Sequence, residues 1–199
     1  IGSKARLIDA LSPHLLKPAG AGRFVDLFCG TGAVAEAAAG LGWDVVVNDT
    51  LASAVTMAAG RLLSAPQVSF ARLGGYAAVV EALNAVEGVE GFLWREYSPA
   101  SAGHSSIERR YFTEANAARL DGIRQCIALW SEAGQISASE TVLLLADLIS
   151  ATNRAANIAG TYGCFLSKWQ KPALAPVSLV CRQLSNRETR VEVVNVDAY

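Results

Sequence analysis

In the stretch Phe24-Val25-Asp26-Leu27-Phe28-Cys29-Gly30-Thr31-Gly32, a carboxylate lies inside an apolar run and two glycines follow it. A second run, Asp44-Val45-Val46-Val47-Asn48-Asp49, ends in another acid, 23 residues after Asp26. Glycines at 30 and 32 permit a tight turn and let main-chain N–H groups approach a ligand with no Cβ in the way. A carboxylate inside a strand is costly to bury without a cationic or hydrogen-bonding partner. An acid at the end of the next strand is where a doubly wound fold accepts hydrogen bonds from ribose hydroxyls. Together these residues offer a nucleoside site, with a place for a positive group beside Asp26.

Positioning them requires a strand, a turn and a helix. Residues 24–28 read as a buried strand covered on both faces. Ala33 to Ala39 is strongly helix-forming, so its first N–H groups point back over the turn. Gly40-Leu41-Gly42 stops that helix, residues 44–49 read as a second buried strand ending in an acid, and Leu51 to Leu63 as the next helix. Strand, helix, strand, helix argues for a parallel α/β sheet with right-handed crossovers. Ahead of it, Leu7, Ile8, Leu11 and Leu15 share one face of a helical pattern that ends at Pro18 and Gly20.

After residue 66 the alternation breaks. Gly74 to Val86 reads as a helix, Gly88 to Trp94 as a short linker and Ser98 to Ser106 as a loop. Thr113 caps a helix with Leu120, Ile123, Ile127 and Trp130 on its apolar face. Ser137 with Glu140 forms a capping box for a helix running to Ala159. Two long helices without a strand read as an inserted helical subdomain. Gly160 to Pro172 mixes glycine, aromatics (Tyr162, Trp169) and lysines (Lys168, Lys171). Bases stack on aromatic faces while lysines meet phosphates, so the mixture suits a nucleic-acid-facing loop, with a partly packed loop as the alternative. Val177 to Cys181 and Val191 to Asp197 read as strands, the second returning to the sheet. The division is 1–90 for an α/β core, 91–185 for the helical insertion and 186–199 for the returning strand.

The totals set bounds. Of 199 residues, 52% are apolar and 18% charged, enough for a sizeable core and against global disorder. The net charge of −1 does not favour a nucleic-acid partner, but residues 151–199 hold six Lys/Arg against three acids, +3, leaving −4 for the rest. Cysteines 29, 126, 164 and 181 are scattered with no CxxC pair, which argues against a zinc site or a disulfide framework and for a reducing compartment. No 18-residue apolar run or signal peptide is present, so a cytoplasmic protein that avoids membranes is expected. The chain starts at Ile1 and its one methionine is Met57, so it reads as a piece of something longer.

Gly30-x-Gly32-x-x-Ala35 also satisfies the dinucleotide fingerprint, which keeps an NAD-dependent oxidoreductase open. Asp26 tilts the balance, because a hydride-transfer site is usually apolar there. S-adenosylmethionine carries an ammonium group beside a nucleoside and would satisfy Asp26, the glycines and Asp49 together. A tethering carboxylate is the structural alternative for Asp26.

The run Asp26 to Gly32 resembles the first motif of nucleic-acid methyltransferases, and the whole set resembles the adenine-specific DNA methyltransferases of the D12 (Dam-like) class. Ile1-Gly2-Ser3-Lys4 is similar to that family's N-terminal cofactor motif. Phe92 to Pro99, Arg110 to Thr113, and Tyr162 to Leu166 before Lys168 are similar to segments of one subgroup, in the family's order. The resemblance implies an S-adenosylmethionine-dependent, Rossmann-like fold with a helical insertion. It also implies methyl transfer to adenine N6 in double-stranded DNA, with restriction-modification as the setting. Implied cofactor contacts are Gly2, Ser3, Lys4, Asp26, Phe28, Cys29, Gly30, Gly32, Asp49 and Thr50, with Asp197 and Ala198 meeting the adenine ring. Implied DNA contacts are Arg109, Arg110, Tyr162, Lys168, Trp169 and Lys171.

One departure is large. The family's Asp-Pro-Pro-Tyr motif, which holds a flipped-out adenine, is absent, and the chain has no Pro-Pro pair. Val196-Asp197-Ala198-Tyr199 reads as the preceding strand-end acid, with the catalytic motif expected past Tyr199 or on a partner chain; a degenerate copy of the motif without prolines is the alternative. No residue present is assigned as catalytic. A cofactor- or DNA-binding module without its own catalysis is the alternative. A cytosine-C5 methyltransferase needs a Pro-Cys nucleophile, and no proline here is followed by cysteine. Cys29 reads as a packing residue, and His14 and His104 as surface residues.

Overall fold

A computed structural model describes residues 4–17, 20, 22–186 and 189–198. Two compact units result. One contains residues 2–69, 137–146 and 182–199, the other residues 70–136 and 147–181.

The first unit is built on three parallel strands in the order β1-β2-β3: β1 (Arg23–Asp26), β2 (Asp44–Asn48) and β3 (Val191–Val194). Val25 pairs with Val46 across one ladder and Val47 with Val193 across the other. Two helices connect and cover them, α2 (Ala33–Gly40) and α3 (Ala52–Leu62); the shorter α1 (Ile8–Leu11) precedes the sheet. The α/β expectation therefore holds for the parallel sheet. In one core cluster Ala35, Ala38 and Ala39 of α2 and Ala58 and Leu62 of α3 meet Val45 and Val47, with Phe24 and Val191 against them. Both helices thus use one face of the sheet.

That arrangement corrects the expectation that β1 is covered on both faces. Its residues alternate, Phe24 and Asp26 inward, Arg23 and Val25 outward, and Val25 is 51% exposed. Residues 4–14 also differ from the single helix expected: 3₁₀ turns at Lys4–Leu7 and Ser12–His14 flank α1, and Leu7 is exposed while Ile8, Leu11 and Leu15 are half-buried. Pro18, expected to end that pattern, lies outside the described residues.

Helix α3 is approached closely twice. A Cβ on Gly32 would stand 2.7 Å from Ala58 Cα, and one on Gly60 would stand 2.5 Å from the Ala146 Cβ of α7 (Ala138–Ala155), whose first half belongs to this unit. Gly60 gives up about 1 kcal/mol of helix propensity relative to alanine. The forced overlap with a rigid Cβ outweighs that gain, so Gly60→Ala is expected to lower unfolding stability by about 1–3 kcal/mol in a urea titration. An unchanged or raised midpoint would show that the two helices are not packed this tightly.

The second unit is helical among the described residues: α4 (Tyr76–Asn84), α5 (Phe92–Tyr97), α6 (Glu114–Glu132), the rest of α7, and the single turn α8 (Lys171–Leu174). The caps of the two long helices, α6 and α7, are those the sequence predicts. Thr113 Oγ1 accepts from the Asn116 N–H at 3.2 Å. At the start of α7, the Ser137 N–H donates to Glu140 Oε2 at 2.7 Å and the Glu140 N–H to Ser137 Oγ at 3.2 Å. Helix α7 ends at Ala155 rather than Ala159.

The linker expected over 88–94 gives way to α5, because the carboxylate of Asp121 on α6 accepts from the N–H groups of Leu93 (3.1 Å) and Trp94 (2.8 Å) and so caps that helix from a distance. The loop expected from Ser98 contains a 3₁₀ helix over Pro99–Gly103, capped by the Ser98 hydroxyl. Val177 to Cys181 is extended but forms no strand. Its main chain is held by side-chain amides instead: Asn116 Oδ1 accepts from the Val177 N–H at 2.9 Å, and Asn84 exchanges both bonds with Leu179 at 2.8 and 3.0 Å. Asn116 Nδ2 also donates to the carbonyls of Ala173 and Ala175.

Candidate functional site

The three parallel strands end side by side, and an acid stands at or just after each end: Asp26 on β1, Asp49 after β2, Asp197 after β3. In parallel α/β sheets this carboxyl edge is where ligands bind. The turn Leu27-Phe28-Cys29-Gly30 follows Asp26, and helix α2 starts after Gly32.

Hydrogen bonds fix the arrangement. Asp49 Oδ2 accepts from the Gly30 N–H at 3.0 Å, and its Oδ1 from the Leu51 N–H at 3.0 Å. The Cys29 N–H donates to the Asn48 carbonyl at 2.9 Å. Asn48, itself buried, donates from Nδ2 to the carbonyls of Leu27 (3.1 Å) and Val196 (3.2 Å) and accepts at Oδ1 from the Val196 N–H (3.1 Å). Where the β1–β2 and β2–β3 ladders stop, one amide ties all three strand ends together, which is why β3 stops at Val194 rather than reaching Asp197. In the sequence Asn48 looks like one more strand residue. Its position immediately before the strand-end acid was the available signal. Arg61 of α3 steadies the turn from behind, donating to the Thr31 carbonyl at 2.9 Å and pairing with Glu36 at 2.6 Å.

Asp26 is 8% exposed, and its Oδ2 has no hydrogen-bond partner among the described residues. Burial pushes its carboxyl above the ordinary carboxylate range and the charge of Asp49 adds to this, while the Lys4 ammonium and the Phe28 N–H pull the other way. Lys4 also donates to the Phe28 carbonyl at 3.1 Å. An orphaned, desolvated carboxylate oxygen at a strand end is what a cationic ligand group would complete. Burial and the charges of Asp26 and Asp49 push the Cys29 thiol up to about 11, so it is no thiolate nucleophile and packs in the core.

The glycines divide the work between them. Gly30 has φ +51° with open space where a Cβ would go, and Gly32 has φ +78° with Ala58 against it. Phe28, Thr50, Asp197 and Ala198 are exposed. Lys4, Asp26, Phe28, Cys29, Gly30, Gly32, Asp49, Thr50, Asp197 and Ala198 therefore belong to one unit, whereas Gly2 and Ser3 lie outside the described residues.

The residues expected to face DNA fall in the other unit, and two of them are committed within the protein. Arg109 donates to the Glu96 carboxylate at 2.8 Å and to the Glu96 carbonyl at 3.0 Å; Arg95 and His104 meet the same carboxylate and, with Arg109, hold it below the usual range. Arg110 pairs with Glu108 at 2.7 Å and donates to the Ser167 carbonyl at 2.9 Å. Tyr162 is half-buried, stacked at 6.4 Å on Tyr111 with its hydroxyl donating to Asn153, and burial pushes it up to about 12. Trp169 is half-buried, and Lys168 and Lys171 are exposed.

The D12 class of N6 adenine-specific DNA methyltransferases matches residues 1–199. The chain belongs to this family. Similar curated proteins include the type II methyltransferase M.FokI of Planomicrobium okeanokoites, 32% identical over 206 residues, which cover all of this chain and 31% of the relative. The modification methylase LlaI of Lactococcus lactis subsp. lactis is 29% identical over 190 residues, 90% of this chain and 29% of the relative. The type II methyltransferase M.NlaIII of Neisseria lactamica is 28% identical over 183 residues, 90% and 52% respectively. The chain thus spans about a third to a half of these relatives. No solved structure matches it. Among the described residues, no helix is long and apolar enough to cross a membrane, and no three metal-ligating side chains cluster.

Proposed function

We propose that this chain forms the S-adenosylmethionine site and part of the DNA-recognition surface of an enzyme that methylates N6 of adenine in double-stranded DNA, in a restriction-modification setting. The observation that carries the reading is the buried Asp26 Oδ2 at the end of β1, without a hydrogen-bond partner among the described residues, in a D12-class chain. When bound, S-adenosylmethionine supplies a methyl group on a sulfonium sulfur, electrophilic enough for attack by an amino nitrogen.

The protein's share is binding and orientation. Asp26 takes the ammonium of the amino-acid end, with Gly2, Ser3 and Lys4 beside it. Phe28, Cys29 and Gly30 present the main-chain turn, and Gly32 starts α2 against α3. Asp49 and Thr50 receive the ribose, and Asp197 and Ala198 the adenine ring, through a carboxylate and an N–H. The unit built on the parallel sheet then makes the Rossmann-like cofactor core, and the helical unit the inserted recognition region, where Lys168 and Lys171 meet phosphates and Tyr162 and Trp169 offer stacking faces. The restriction-modification setting follows the names of the similar proteins.

Isothermal calorimetry with S-adenosylhomocysteine tests the cofactor assignment. Saturable one-to-one binding is expected, with no heat from NADH under the same conditions. The absence of S-adenosylhomocysteine binding, or a preference for NADH, would overturn it.

A further inference from the structure

The segment expected to carry Lys168 and Lys171 to DNA is fastened at both ends to a single buried side chain. Asn157 is 0% exposed. Its Nδ2 donates to the carbonyls of Arg110 (3.1 Å) and Leu166 (3.0 Å), and its Oδ1 accepts from the Gln170 N–H (3.1 Å). Its main chain repeats the link, the N–H donating to the Tyr111 carbonyl at 2.8 Å and the carbonyl accepting from the Leu166 N–H at 2.9 Å. Every polar group of this residue is therefore used, and each joins the strip 110–111 or the loop 158–170.

A second strap lies alongside. Arg110, oriented by Glu108, donates to the Ser167 carbonyl, one residue before Lys168. Beneath the loop, Tyr111 touches Phe165 edge-on at 5.2 Å and Tyr162 face-on at 6.4 Å, and Ile158 bridges to Phe165. Amides, guanidinium and rings hold the same thirteen residues, 158–170, in one shape, while Lys168 and Lys171 project as exposed cations.

We propose that Asn157, with Arg110 as its second strap, is a positioning residue that presets this loop for double-stranded DNA, so that the cost of ordering it is met in folding and not on binding. The inference rests on the DNA-facing reading above. It also moves Arg110 from a direct phosphate contact to a support. A loosened loop binds in proportion to the fraction of molecules that hold the competent shape, yet the complex, once formed, makes the same phosphate contacts.

The test is fluorescence-anisotropy titration of a mixed-sequence DNA duplex at several salt concentrations, for the full chain and three variants, with S-adenosylhomocysteine affinity as control. Lys168→Ala plus Lys171→Ala is expected to flatten the log Kd against log salt slope by about 1.8, the share of two phosphate contacts. Asn157→Ala and Arg110→Ala are expected to weaken duplex binding about tenfold, as when the competent conformer falls to about a tenth of the population. In both, the salt slope and the S-adenosylhomocysteine affinity stay as in the parent. An unchanged slope in the lysine variant removes the loop from the DNA face and defeats the underlying reading. A normal lysine result with unweakened duplex binding in the other two defeats the latch alone. A flattened slope in Arg110→Ala makes Arg110 a contact and overturns its role as strap. If Asn157→Ala does not fold, Arg110→Ala, whose side chain is 39% exposed, decides the matter.

Discussion

Asp26→Asn is expected to make the protein more stable and nearly unable to hold its donor. Asparagine keeps the acceptor that the Phe28 N–H uses and removes a charge that burial and Asp49 both disfavour. Because the folded-state pKa of Asp26 is raised, the folded protein binds its proton more tightly than the unfolded chain does. Stability at this position is therefore greatest below the unfolded value and is lost as pH rises through the folded one. At neutral pH the carboxylate is a cost, so relieving it should raise the denaturation midpoint by on the order of 1 kcal/mol. S-adenosylhomocysteine affinity should fall by about 3 kcal/mol, roughly two orders of magnitude, since a desolvated charge pair loses one partner. In the parent, affinity should climb with pH as Asp26 ionises, and the variant should lack that limb. Calorimetry and urea titration on the same samples read both effects. Undiminished affinity would mean that Asp26 tethers the turn and does not meet the ligand.

Gly32→Ala is expected to fail in a different way. A residue with a Cβ at φ +78° costs about 1–2 kcal/mol for the left-handed conformation alone, and overlap with a packed backbone adds about 1–3. The new Cβ would stand 2.7 Å from Ala58 Cα, an atom no rotamer change can move. A loss of about 3 kcal/mol or more is expected in urea. Gly30→Ala is the control, since its φ is +51° but its Cβ meets open space, and about 1–2 kcal/mol is expected there. Equal losses at the two positions would show that packing against α3 is not what Gly32 supplies.

The two substitutions fall in the part of the chain that was most readable. Apolar run, glycine turn and alanine-rich helix are contiguous, so their order alone placed Asp26 and Asp49 at neighbouring strand ends. The caps at Thr113 and at Ser137 with Glu140 were legible for the same reason, since each signal and its partner lie three residues apart. What escaped was organised by residues far along the chain. The first turn of α5 is held by Asp121, and nothing between Gly88 and Trp94 announces it. Val177 to Cys181 has strand composition, but Asn84 and Asn116 claim its backbone. Arg109 looked available until Glu96, thirteen residues earlier, closed on it. Exposure of Val25 reflects which face α2 and α3 chose, a choice the apolar run could not report.

The amide clamps on residues 173–179 have a consequence for how that segment tolerates change in length. A β-ladder repeats every two residues, so a strand can slip by two and remake all its bonds. Asn116 grips Ala173, Ala175 and Val177, and Asn84 grips Leu179, each at a single address. A slip of any size leaves the Asn116 and Asn84 amides and five main-chain groups without partners. An inserted or deleted residue between Ala173 and Leu179 has no neighbouring register to settle into, and the path of the chain onward from Leu179 is metered to the residue.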